Sequence, residues 1–132
     1  MKTKNLTQKF GLIFLTVWAL IVAAPAELCF SLPEVDQVVS GEVQFTQPDA
    51  STLQITASNN AIINYTSFNI GANESVNFTL PDSDSAVLNR VIGSSSSQIM
   101  GRLSSNGTII LVNQNGITFG PNANVDVGSL VA

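Results

Sequence analysis

The chain has 132 residues, with no histidine, one cysteine and five Lys plus Arg against nine Asp plus Glu. That inventory suits one modest domain. It offers no imidazole for acid–base work and no Cys/His cluster for zinc, so no catalytic residue, metal or cofactor is expected.

The first element is a targeting segment. Lys2, Lys4 and Lys9 precede the uncharged run GLIFLTVWALIVAA, which ends at Ala24-Pro25-Ala26 just before Glu27. Basic, then apolar, then small-x-small is the order of a secretory signal peptide. Residues 1–26 are therefore expected to direct export by the general secretory pathway, with Ala24 and Ala26 marking the cleavage site. A membrane anchor needs roughly 20 apolar residues; this run is shorter, and no stop-transfer pattern follows it. Cys29 lacks the Leu-small-small approach of a lipoprotein and reads as a free thiol near the mature N-terminus. Cleavage removes all three lysines, leaving Arg90 and Arg102 against nine carboxylates, 2 − 9 = −7. Such a surface repels phosphate backbones, which excludes nucleic acid as a partner.

After the signal, helix patterns nearly vanish and short runs alternate with period 2, broken by Asn, Gly, Ser and Asp. The segment Leu32 to Ser40, with Pro33, Glu34 and Asp36, reads as an N-terminal cap that opposes strand addition. Val43 and Phe45 alternate with Glu42 and Gln44, and Leu53, Ile55 and Ala57 with Thr52, Gln54 and Thr56. Further runs follow at AIINYTSFNI, SVNFTL, AVLNRVIG, QIMGRL, TIILVN, GITFG, NVDV and SLVA. Phe68, Phe78 and Phe119 are expected in the core.

Asn-Gly occurs at Asn106-Gly107 and at Asn115-Gly116. Both residues tolerate positive φ, so each pair can turn the chain sharply. One arrangement is a series of type I′ hairpins in a sandwich or barrel. The other is a parallel solenoid, in which short strands meet at corners and each coil stacks on the last. From Thr108 onward the strands are too short and too closely spaced for good hairpins, which favours the solenoid. Asn113, Asn115, Asn122 and Asn124 would then sit at or beside corners, where stacked amides hydrogen-bond between coils. The apolar end Ser129-Leu130-Val131-Ala132 looks mid-strand, so the solenoid is expected to be incomplete at the C-terminus.

Taken together, AIINYTSFNIGANESVNF, SAVLNRVIG and SQIMGRLSSNGTIILVNQNGITFGPNANVDVGSLVA resemble the N-terminal secretion domain of filamentous-haemagglutinin-like exoproteins, the exported partners of Gram-negative two-partner secretion systems. The resemblance spans Val35 to Ala132, with several blocks in the family's order. It implies an all-β, right-handed parallel β-helix without catalysis, occupying residues 27–132. It also implies recognition in the periplasm by a dedicated outer-membrane β-barrel transporter, which exports a much longer adhesin or haemolysin to the cell surface or medium.

The family's signature turn Asn-Pro-Asn-Gly-Ile corresponds to Asn113, Gln114, Asn115, Gly116 and Ile117, with Gln114 in place of proline. The second family turn, Asn-Pro-Asn-Leu, is missing. Other motif positions implied by the resemblance are Phe68, Asn69, Ile70 and Gly71, and Asn89, Arg90 and Val91. The signature turn reads either as a transporter-facing element or as a corner that sets the fold. Arg90 reads as one half of a surface ion pair or as a transporter contact.

Three rival functions remain. A β-helix polysaccharide lyase or hydrolase would need clustered carboxylates or a calcium site, and Asp82 and Asp84 in a solvated loop are the nearest approach. A self-standing adhesin or carbohydrate-binding surface protein would use exposed Thr, Ser and Asn. A non-functional relic would explain Gln114 and the early end. The sequons at Asn64, Asn73, Asn77 and Asn106 read as by-products of an Asn- and Thr-rich chain.

Overall fold

The computed structural model of the protein describes residues 32–132. The expected signal segment, with Ala24, Ala26 and Cys29, lies outside them. Twelve strands make up the described chain: β1 Glu34–Ser40, β2 Val43–Asp49, β3 Thr52–Ala57, β4 Ala61–Ser67, β5 Ser75–Thr79, β6 Ala86–Val91, β7 Ser97–Ile99, β8 Arg102–Ser105, β9 Thr108–Asn113, β10 Ile117–Phe119, β11 Asn124–Asp126 and β12 Ser129–Val131. Among the described residues no helix is long and apolar enough to cross a membrane.

These strands form three stacked walls. Sheet A runs β1-β4-β6-β9-β12, sheet B runs β11-β8-β5-β3-β2, and sheet C pairs β10 with β7. A parallel bridge between Ile70 and Ile99 extends sheet C to the first coil. The coils are thus β3, β4 and Ile70; then β5, β6 and β7; then β8, β9 and β10; and β11 with β12 begins a fourth. From coil to coil every pairing is parallel. Neither Asn-Gly pair closes a hairpin: Asn106-Gly107 joins sheet B to sheet A, and Asn115-Gly116 joins sheet A to sheet C. The fold is a parallel β-solenoid.

Register turns the alternation of each strand into columns. Leu53, Val76, Leu103 and Val125 stack inside sheet B. Val87, Ile109 and Leu130 stack inside sheet A, and Ile70, Ile99 and Phe119 inside sheet C. Most of these side chains are fully buried, each worth about 1.5–3 kcal/mol of transfer free energy.

Phe119 departs from expectation. It occupies a core column but is 40% exposed, because it packs on Ile99 below while its outer side meets no further coil. There it helps line an apolar groove of about 540 Å³ with Leu111, Ile117 and Val131.

The opposite end is closed differently. β1 pairs antiparallel with β4, and β2 antiparallel with β3. The expected cap at Leu32 to Ser40 therefore lies on the solenoid as an edge strand, shared with β2. Pro33 is buried, and Leu32, Val35 and Val43 pack on the core. A two-residue loop links β2 to β3, where Asp49 Oδ1 accepts from the Ser51 N–H and the Ser51 hydroxyl, both at 2.9 Å. Those bonds, the backbone one first, hold the Asp49 carboxyl below its ordinary pKa.

One predicted run is divided. QIMGRL breaks at Gly101, where the chain turns from sheet C into sheet B. A Cβ there would stand 2.1 Å from the Gly71 carbonyl oxygen and 2.3 Å from that of Glu74. Only glycine lets two coils approach so closely at this corner.

Candidate functional site

The signature turn is a corner built against the coil beneath it. Asn113 ends β9, and its carbonyl accepts from the Gly116 N–H at 3.1 Å. Asn113 Oδ1 also accepts from the Asn115 N–H at 2.9 Å, the Asx geometry that pre-forms a turn. Gly116 takes φ +100°, with open space where a Cβ would lie. Asn60 is the one non-glycine residue with positive φ among those described, so Gln114 and Asn115 keep ordinary backbone. A type I turn has that pattern, with Gln114 at the position proline favours.

Four bonds tie the turn to residues 93–97. Asn113 Nδ2 donates to Ser95 O at 3.0 Å and to Ser97 Oγ at 2.9 Å. Asn115 Nδ2 donates to Gly93 O at 2.9 Å. The Ser97 N–H donates to Gly116 O at 2.9 Å. The expected stacking of amide on amide does not occur here: Asn113 and Asn115 bridge coils through backbone groups and a hydroxyl. Asn124 is joined to the coil below through its own backbone N–H, which donates to Gly101 O at 3.0 Å. The same device recurs at Asn106, whose side chain accepts from the Leu80 N–H and donates to the Leu80 carbonyl, both at 2.8 Å. That amide copies the hydrogen bonding of a strand neighbour.

Asn89, Arg90 and Val91 lie consecutively on β6, and alternation sends them in opposite directions. Asn89 is fully buried. It accepts from the Tyr65 hydroxyl at 2.8 Å and donates to Ile110 O at 3.3 Å. Burial pushes the Tyr65 pKa up from its ordinary value. The Tyr65 ring also meets Phe68 edge-on, with centroids 5.0 Å apart at 88°. This polar contact inside the core was not anticipated, although Asn89 at an inward position of AVLNRV was a readable sign of it.

Arg90 points outward, and its Nε donates to Asn64 Oδ1 at 3.0 Å. The expected surface ion pair gives way to a neutral amide on the coil below, because Asn64 is its register partner. Arg90 lines a groove of about 410 Å³ with Asn64, Ile92, Gly93, Val112 and Gln114. Two separate motifs, the Asn89-Arg90-Val91 stretch and the signature turn, therefore share one groove.

Phe68, Asn69, Ile70 and Gly71 form a second corner, on sheet C. Phe68 and Ile70 are fully buried. Asn69 Oδ1 accepts from the Gln98 N–H at 2.8 Å, and the Gly71 N–H donates to Glu74 Oε1 at 2.7 Å. A smaller groove of about 350 Å³ lies here, lined by Asn69, Gly71, Ser96, Gln98 and Met100. This corner does not line the Arg90 groove.

Of the two carboxylates most open to a catalytic reading, that of Asp82 is engaged within its own loop. Asp82 Oδ1 accepts from the Asp84 N–H at 3.0 Å and from the Ser85 hydroxyl at 2.9 Å, which folds PDSDS on itself. Among the described residues no group of three or more His, Cys, Asp or Glu could hold a metal.

The family described as the TPS secretion domain matches residues 31–132. The chain is 35% identical over 122 residues to a heme/hemopexin-binding protein of Haemophilus influenzae, covering 92% of this chain and 13% of that protein. A second protein of that name from the same species is 36% identical over 101 residues, 76% of this chain and 11% of the other. The crystal structure of the HMW1 secretion domain from Haemophilus influenzae superposes with a TM-score of 0.64 at 43% identity, over 67% of this chain and 23% of that one. The chain thus spans about an eighth of the length of the curated relatives it matches.

Proposed function

The chain belongs to the TPS (two-partner) secretion domain family, and from that premise we propose how it reaches its transporter and what it does there. It is a secretion-targeting module of a two-partner exoprotein, a class exported to the cell exterior by way of the outer membrane. In our reading residues 1–26 carry the chain into the periplasm by the general secretory pathway and are cleaved at Ala26. The periplasmic domains of a dedicated β-barrel transporter then bind the mature solenoid from residue 27 onward. Binding starts translocation of the exoprotein of which this module is the N-terminal part.

One observation carries the reading: the family match covers every described residue. The role is to be recognised, and solenoid faces and corners suffice for that. Binding of heme or hemopexin belongs, by name, to relatives of which this chain matches a small share. We therefore assign this chain the targeting role.

The test fuses the full chain ahead of a reporter domain in cells with and without the cognate transporter. Reporter appearing outside the cell only when the transporter is present is the expected result. Reporter retained in both strains, or released equally from both, overturns the proposal.

A further inference from the structure

The outer faces of the two large sheets differ in kind. On sheet B the outward register rows read Gln54, Asn77, Ser104 and Asp126, then Thr52, Ser75, Arg102 and Asn124. All are polar. On sheet A one outward row reads Ile62, Leu88, Ile110 and Val131, between a row of Ala86, Thr108 and Ser129 and a row of Asn64, Arg90 and Val112. Beside it, Val112 is 46% and Ile92 57% exposed. Both sheets belong to the same coils and bury equivalent inward columns, so folding does not demand aliphatic residues on the outside of sheet A. Ile62, Leu88 and Ile110 are half-buried in the row, while Val131, Val112 and Ile92 stand exposed at its edge; apolar surface of this kind marks an interaction site.

Charge sharpens the contrast. The sequences of β4, β6, β9 and β12 contain no Asp or Glu, and their one charged residue is Arg90; the carboxylates of sheet A, Glu34 and Asp36, lie on its antiparallel edge strand β1. The rest of the exported chain is acidic, with Arg102 on sheet B as its second cation. Arg90 stands in the groove bounded by Ile92, Val112 and Gln114, which joins the aliphatic row to the signature turn. Of the five N–H donors of its guanidinium, Nε is committed to Asn64.

We propose that the outward face of sheet A, from Ile62 to Val131 with the Arg90 groove, is where the transporter's periplasmic domains dock. The partner element is an aliphatic strand or helix face with a carboxylate opposite Arg90. The inference rests on the targeting role above. Two arguments select this occupant over a second copy of the chain. Four strands about 4.8 Å apart, with three outward residues on β4, β6 and β9 and two on β12, present about 300 Å², against roughly 800 Å² per partner in a stable interface. That area suits the transient contact a translocating substrate needs. A second copy would also set Arg90 against four strands that carry an arginine of their own and no carboxylate, Glu34 and Asp36 standing apart on the edge strand β1.

The test measures binding of the full chain to the cognate transporter's periplasmic domains by calorimetry. The variants are Leu88→Thr with Ile110→Thr, Ile92→Thr with Val112→Thr, and Arg90→Glu. A sheet B control is Thr56→Glu with Thr79→Lys, which alters two outward register partners. Circular dichroism and urea midpoints report the fold of each. Loss of binding by tenfold or more in the sheet A variants, with the control within twofold of native, is the expected result. If Leu88→Thr with Ile110→Thr lowers the urea midpoint, the more exposed Ile92 and Val112 pair and Arg90→Glu decide.

Native-like binding by those variants overturns the docking face while leaving targeting intact. An equal loss in the control overturns it as well. A native chain that dimerises at the assay concentration, with monomeric sheet A variants, gives the face to a second copy and also overturns it. A native chain that neither binds nor exports the reporter overturns the targeting role itself.

Discussion

The hydroxyl of Tyr65 donates to the amide oxygen of Asn89 at 2.8 Å, with both side chains fully buried and on successive coils. Asn89 interrupts an inward column that otherwise reads Ile63 and Leu111. Removing one partner leaves the other buried without its bond, which costs about 1–3 kcal/mol. Tyr65→Phe is therefore expected to lower the unfolding free energy by that amount, read as a lower denaturant midpoint at an unchanged slope. Tyr65→Phe combined with Asn89→Leu should recover part of the loss, since neither polar group is then stranded. A double variant less stable than the sum of the singles would contradict this account.

The same pair predicts a response to alkali. Burial raises the folded pKa of Tyr65 above the unfolded value. Its contribution is fully present below the unfolded pKa of about 10, and above it the unfolded chain alone loses the proton. Stability should thus fall above about pH 10, by up to about 1.4 kcal/mol per pH unit from this group. The sequence contains one tyrosine, so tyrosinate absorbance reads it directly. It should appear together with the unfolding transition, and its earlier appearance in folded protein would refute the assignment.

At the signature turn, Gln114→Pro should stabilise. Gln114 follows strand residue Asn113, which has the extended backbone a proline demands of its predecessor, and φ at Gln114 is not positive. A gain of about 0.4–1 kcal/mol is expected through the unfolded state, read as a higher urea midpoint. Asn115→Pro should destabilise, because it removes the N–H that bonds Asn113 Oδ1.

Asn113 itself holds the turn to the coil below. Asn113→Ala deprives the buried Ser97 hydroxyl of its donor and leaves Ser95 O without its bond, for a loss of about 1–3 kcal/mol. Asn113→Asp keeps the acceptor for the Asn115 N–H but not the donors. It should be nearly as destabilised at neutral pH. A native midpoint for Asn113→Asp would show that the turn's own bond, and not the bridge between coils, carries the effect.

Two glycines separate crowding from backbone strain. Gly101→Ala drives a Cβ into the carbonyls of Gly71 and Glu74, and overpacking against backbone should cost at least about 1–3 kcal/mol. Gly116→Ala meets open space but must hold φ +100°, a loss of about 1–2 kcal/mol. Hydrogen exchange should distinguish them, with the first loosening the corner between sheets C and B and the second only the turn at 113–116.

Period-2 alternation in the sequence located nearly every strand and its inward residues, because side-chain direction is a local property. It carried no information on which strand pairs with which, or in what sense. Leu32 to Ser40 was legible as a cap, but its antiparallel pairing with β4 was not, and β2 looked like an ordinary coil strand. QIMGRL looked like one strand because its break arises from the contact of Gly101 with Gly71, which no local pattern records. Phe119 looked like core because its exposure depends on what stacks above it. Arg90 was expected to seek a carboxylate, and register gave it Asn64. The family motifs were legible as residues, yet the groove that joins Arg90 to Gln114 exists only once β6 and β9 lie side by side.

The amides that bridge the coils have a consequence for the conditions the molecule withstands. Asn59, Asn69, Asn77, Asn106, Asn113 and Asn115 each join one coil to the next through a neutral group. The carboxylates of Asp49 and Asp82 bond only within their own loops. Neutral amides neither titrate nor attract a screening atmosphere. Apart from the Arg90 guanidinium on Asn64, these side-chain bridges between coils are thus nearly blind to acidity and ionic strength.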